Sequence, residues 1–243
     1  MLSLDDNDHF LPKRFRWYTL AAIVFILMLG AVSAAFGVWN FLLLGVGELV
    51  LYAIYTRQWK KAQNRSGLAS EQTGSEGSFS FWRYICLAWL YAMIMEFCVD
   101  FGSYGTFNPL IVLLVMLALT PHYLFLAAAF RLWFRWFSFS ARQAYFTMGV
   151  VGFLLESIIL KAAVGTFTFC EILHWPIDVP VHILNYGGFV LLPTLLHNRS
   201  RQGQQPRRTG GWKYAAAIGG TLALAMPEIA ATYWLVYNVI LKN

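Results

Sequence analysis

The chain has 243 residues, 58% of them apolar and only 12% charged, with a formal net charge of +6. That composition excludes an ordinary soluble domain, and the basic residues cluster between apolar stretches, where membrane topology explains them better than a nucleic-acid partner does. Cys86, Cys98 and Cys170 form no CxxC pair, so neither a disulfide framework nor a zinc site is expected.

Apolar stretches of about 18 or more residues recur along the chain, which predicts an all-α polytopic membrane protein. The expected architecture is a seven-transmembrane helical bundle, one domain over 1–243, with spans near 17–37, 39–56, 82–102, 109–130, 143–164, 177–197 and 213–238. Lys13, Arg14 and Arg16 precede the first span. Its end, Ala31-Val32-Ser33-Ala34, also fits a cleavable signal peptide, but the tight link onward favours a retained helix.

The second span carries Glu48 and ends in Arg57, Lys60, Lys61 and Arg65; the loop 62–80 that follows has flexible-linker composition. Glu96 and Asp100 lie on the third span, before a Gly105-Thr106-Phe107 corner. The fourth carries Pro121 and His122 and is followed by Arg131, Arg135 and Arg142. Glu156 and Lys161 lie on the fifth, where Lys161 is expected to snorkel to the interface rather than pair with an acid.

The segment 170–180, with Glu171, His174, Trp175 and Asp178 between prolines, reads either as a partly reentrant lid or as an interfacial loop. His182 follows on the sixth span, the Arg-rich loop 198–211 is a second flexible linker, and the last span carries Pro227 and Glu228. Basic clusters fall at every second connection, so the positive-inside rule places the N-terminus and the loops 62–80 and 198–211 in the cytoplasm.

Sliding the chain by 60 residues aligns 78–124 with 138–184 and gives ten identities over those 47 positions. Ser78-Phe79-Ser80 matches Ser138-Phe139-Ser140, Glu96 matches Glu156, Gly105-Thr106-Phe107 matches Gly165-Thr166-Phe167, and His122 matches His182. A unit of two spans returns to the same side of the membrane, so the copies are expected to be parallel repeats of two-helix units.

Glu96 and Glu156 each precede the outer Gly-Thr-Phe corner by nine residues, and Glu48 and Glu228 lie about nine and ten residues from the outer ends of their spans, about 13 to 15 Å deep at 1.5 Å per residue. An ionised carboxylate facing lipid costs several kcal/mol, so such acids face the bundle interior, hold a proton or have a partner. They are the candidate functional groups: Glu96, Asp100, Glu156 and Glu228 as catalytic acids, Glu48, His122, His182 and Asp178 as polar groups around the substrate, and Tyr104 and Trp234 as aromatic walls. Tyr186 and Tyr233 belong to the same aromatic-rich outer half, where belt residues and a cation-stabilising pocket are the competing readings. His122 and His182 are expected to contact acids of neighbouring helices, and no spacing sets two metal ligands on one helical face.

No Lys in the middle of the last span offers a retinal Schiff base, and phosphate-loop, zinc-protease, Gly-x-Ser-x-Gly and aspartate-rich diphosphate motifs are missing. No cofactor and no metal are expected. Seven short spans with intramembrane acids, many aromatics and no cofactor motif resemble the small membrane-bound terpene cyclases of meroterpenoid biosynthesis. "WPIDVPVHIL" (175–184) more distantly resembles the Pro-x-Glu-Glu segment of small lycopene cyclases, with Asp178-Val179 where that family has two acids.

The resemblance implies a lyase- or isomerase-type cyclase of isoprenoid biosynthesis that protonates an epoxide or alkene of a lipophilic small molecule within the membrane lipid. A proton- or cation-coupled transporter or channel and a noncatalytic membrane subunit are the alternatives. In the cyclase reading, Glu96 assisted by Asp100 is the expected proton donor.

Overall fold

The computed structural model describes residues 9–68, 79–103, 109–163, 165–200, 210–236 and 238. Tyr104, Gly105-Thr106-Phe107, most of both linkers and the side chain of Asp100 lie outside the described set. Seven long helices follow in order: α1 Lys13–Ala35, α2 Asn40–Leu68, α3 Phe81–Ser103, α4 Pro109–Leu132, α5 Ala141–Ala163, α6 Trp175–Arg199 and α7 Trp212–Leu235. Six of them are long and apolar enough to cross a membrane. The exception is α2, whose apolar part, 40–56, carries Glu48 and meets Arg57, after which the helix is polar. Residues 62–68, expected as linker, continue this helix.

Local signals account for the helix ends. Ser140 caps α5 by accepting from Gln143 N (3.1 Å), while the Gln143 side chain accepts from Ser140 N (3.0 Å), a reciprocal capping box. Of the segment 170–180, Phe169–His174 is a 3-10 turn and the rest is the start of α6, with Pro176 in the first turn, where its missing N–H has no helical partner to lose. Pro121, Pro193 and Pro227 lie inside continuous helices.

The centre of the bundle is α6, two thirds buried, with α1, α2, α3 and α5 packed around it. Lipid supplies no hydrophobic force between helices, so close approach through small residues takes its place. On α5, a Cβ at Gly152 would meet Tyr186 Cγ at 2.1 Å, and on α6 one at Gly188 would meet Tyr55 Cζ at 2.1 Å. Glycine at these two points lets tyrosine rings lie flat against a neighbouring backbone. Ahead of α1, His9, Phe10 and Leu11 are buried: Phe10 packs edge-on to Tyr55 and Tyr145, and Arg142 donates to the His9 carbonyl at 2.7 Å.

Candidate functional site

Glu96, Glu156 and Glu228 each lie seven residues from the C-terminal end of α3, α5 and α7, about 10 Å from that end of the bundle. Glu156 sits in a π-helical turn, Leu155–Leu160, which inserts a wider loop of backbone into α5. Its Oε1 accepts two hydrogen bonds, from Tyr186 OH of α6 at 2.6 Å and Tyr233 OH of α7 at 2.7 Å. Glu96 Oε1 accepts from Tyr123 OH of α4. The Tyr123 and Tyr186 rings lie 6.2 Å apart, so the two acid and tyrosine pairs form one cluster.

Glu228 joins from the side of Tyr233. His122 Nδ1 lies 3.1 Å from Glu228 Oε2, and Thr232 Oγ1 donates to Oε1 at 2.5 Å. The His122 ring contacts those of Tyr123 (5.0 Å) and Tyr233 (6.5 Å), and its Nε2 is buried without a hydrogen-bond partner. His182 approaches Tyr186 from the other side, at 6.3 Å between rings, with Nδ1 unpartnered. Three acids, two imidazoles and three tyrosines from five helices thus share one patch. Among the described residues no three His, Cys, Asp or Glu side chains are grouped as metal ligands.

The fourth acid stands apart. Glu48 is 0% exposed, and neither carboxyl oxygen has a hydrogen bond of ordinary geometry, although the Asn185 amide of α6 faces it. The hydroxyls of Tyr55 and Tyr145, also fully buried, are unpartnered nearby. Asp178 is half-buried one turn before His182, and Trp234 is 63% exposed on the outside of α7. Lys161, expected to snorkel, donates to Glu171 of the 3-10 turn instead. With that turn folded back over the end of α5, a carboxylate lies within reach of the lysine.

Tyr123, Tyr186 and Tyr233 are the site residues that the candidate list lacked. Their signal in the sequence is position: Tyr123 adjoins His122, Tyr186 follows His182 by four residues, and Tyr233 follows Glu228 by five. Two cavities, of about 1150 and 700 Å³, open at the other end of the bundle, and none of the four glutamates lines either. Within the acid cluster the Glu228 side chain is 18% exposed and that of His122 1%.

No protein-family model matches the chain, and no characterised protein or solved structure is detectably similar to it.

Proposed function

We propose that the chain is a seven-span membrane enzyme, N-terminus in the cytoplasm, that cyclises a lipophilic isoprenoid by proton transfer from a carboxylic acid. What carries the reading is that Glu96 and Glu156 share one tyrosine-lined cluster, Glu156 held by Tyr186 and Tyr233 and Glu96 by Tyr123. An apolar surround favours the neutral, proton-donating form of a carboxylic acid, and aromatic faces attract the carbocation formed next.

In this scheme Glu96, with Asp100 one turn further along α3, delivers its proton to an epoxide oxygen or alkene carbon. The C–O bond breaks or the π bond opens, and the electron pair of a second alkene closes the ring on the resulting cation. A C–H proton then leaves to a carboxylate, so the product is an isomer of the substrate and the proton count is restored. Glu156 suits the accepting role, because two hydroxyl donors fix the direction of its oxygen. Glu228, paired with His122, is placed to return the proton through the cluster.

The same geometry supports reading 78–124 and 138–184 as parallel repeats. In each helix pair the first helix carries the glutamate and the second carries a tyrosine that donates to it, Tyr123 to Glu96 and, two residues past the second unit, Tyr186 to Glu156. The tyrosines sit 27 and 30 residues after their acids, so the second contact is displaced by about one helical turn.

The test is expression of the chain with a prenylated aromatic epoxide and assay of cyclised product, repeated with Glu96→Gln and Glu156→Gln. Loss of product in either supports the assignment, and unchanged product in both removes these residues as the acid. A proton-coupled transporter is the second reading, favoured by Glu48, a buried carboxyl with no hydrogen bond. Proton-coupled uptake in vesicles that Glu48→Gln abolishes is its signature.

A further inference from the structure

The larger cavity, about 1150 Å³, lies between the C-terminal halves of α2 and α6, with Tyr91 of α3 on one side. Its rim carries Arg57 and Lys61 from α2 and Arg199 from α6, and no acid lines it among the described residues. None of the three cations forms an ion pair with any described residue. Below the rim the wall is apolar: Ile54 from α2, Leu192 and Leu196 from α6. From Arg199 to Leu192 is seven residues of α6, so the apolar wall runs about 10 Å inward from the charged rim.

Three cations on one cavity rim, with no acidic partner among the described residues, make an anion site, and the apolar wall beneath them gives that anion a tail. Gln58 adds a second signal. Its amide nitrogen meets Tyr91 OH while its Oε1 is buried with no partner, so one polar atom of the amide is left over within the cavity lining. Turning the amide over, which leaves its shape unchanged, makes the Tyr91 hydroxyl the donor and frees an NH2 for a phosphate oxygen. The neighbouring cavity shares Gln63, Leu195 and Asn198 with this one, but its arginine, Arg142, is already committed to the His9 carbonyl.

We propose that this cavity binds an anionic amphiphile, a phosphate ester bearing an acyl or prenyl chain, with its head at Arg57, Lys61 and Arg199 and its chain lying along α6 toward Leu192. The proposal is independent of the proton chemistry at the other end of the bundle. Such a compound reaches the site either as a membrane phospholipid or as a free prenyl phosphate, and the two share the recognised chemistry.

The experiment uses the full chain purified in phosphatidylcholine nanodiscs and titrated with dioctanoyl phosphatidic acid, with binding read by native mass spectrometry. One saturable site is expected, weakened about tenfold or more by Arg57→Gln with Lys61→Gln and by Arg199→Gln, and unchanged in the control Arg14→Gln with Arg83→Gln, exposed cations outside the cavity. Monodisperse protein with an unchanged melting temperature checks that the variants fold. Equal weakening by the control pair would mean bulk charge and overturn the proposal, as would non-saturable binding by the wild-type chain. Dioctanoylglycerol binding as tightly, or inorganic phosphate displacing the lipid at equal concentration, would overturn it by removing the need for a head or a tail. Geranylgeranyl monophosphate, titrated in competition, separates the sources: tighter binding than phosphatidic acid marks a free prenyl phosphate, weaker binding a membrane lipid.

Discussion

Tyr186 and Tyr233, from the successive helices α6 and α7, donate to the same oxygen of Glu156, at 2.6 and 2.7 Å. Sharing one acceptor makes their contributions interdependent. Removing either hydroxyl leaves Glu156 one donor, whereas removing both leaves a carboxyl without one.

Tyr186→Phe and Tyr233→Phe are therefore expected to be non-additive. In a double-mutant cycle followed by thermal unfolding in detergent, the two changes should couple by about 0.5–3 kcal/mol, the range for residues in one hydrogen-bond network. Strict additivity would show that the two bonds do not form on the same carboxyl.

Glu48 gives the opposite expectation. Its carboxyl is fully buried and lacks a hydrogen bond, so Glu48→Gln, of nearly the same shape, should leave the melting temperature unchanged or raise it. Cyclised product should persist in the same variant, because Glu48 lies outside the tyrosine cluster. Loss of proton-coupled uptake with product never detected would turn the assignment toward transport.

Gly152→Ala tests the packing that seats Tyr186. The new Cβ would lie 2.1 Å from Tyr186 Cγ, so ring and helix must separate, a change of the overpacking kind that costs about 1–3 kcal/mol. The same movement draws the Tyr186 hydroxyl away from Glu156, and activity should fall further than stability alone explains.

Orientation is read most directly from Cys170, exposed on the 3-10 turn at the same end as Glu156. With Cys86 and Cys98 replaced by Ala, a membrane-impermeant maleimide should label Cys170 in intact cells. Asn64→Cys in a fully cysteine-free chain should be labelled only after permeabilisation. The reversed pattern would invert the proposed topology.

Much of this bundle was legible from hydropathy, because a bilayer demands runs of apolar residues whatever their partners. The place of the glutamates along their helices was legible too, since rise per residue converts position into distance. Direction around a helix was not. Near-uniformly apolar helices offer little contrast between faces, so nothing in α2 announced that Glu48 points to Asn185 while Glu96, Glu156 and Glu228 converge elsewhere. Lys161 was misplaced for a related reason: its partner, Glu171, is brought back by a turn whose geometry hydropathy does not encode. Tyr186 and Tyr233 stood out only as aromatics, and Tyr123 not at all, because a membrane belt and a buried donor have the same composition.

The π turn at Leu155–Leu160 sets the phase of α5. Before it, Tyr145, Met148 and Val151 are buried in the core; beyond it, Lys161 reaches Glu171. An ordinary α turn there would rotate everything downstream by about 100° relative to what precedes it. Deleting Ile158 or Ile159 should thus leave a helix that can satisfy its core face or the Lys161 contact, but not both. The wide turn works as a phase shifter, letting one continuous rod address two sets of neighbours that a regular 3.6-residue screw could not serve together.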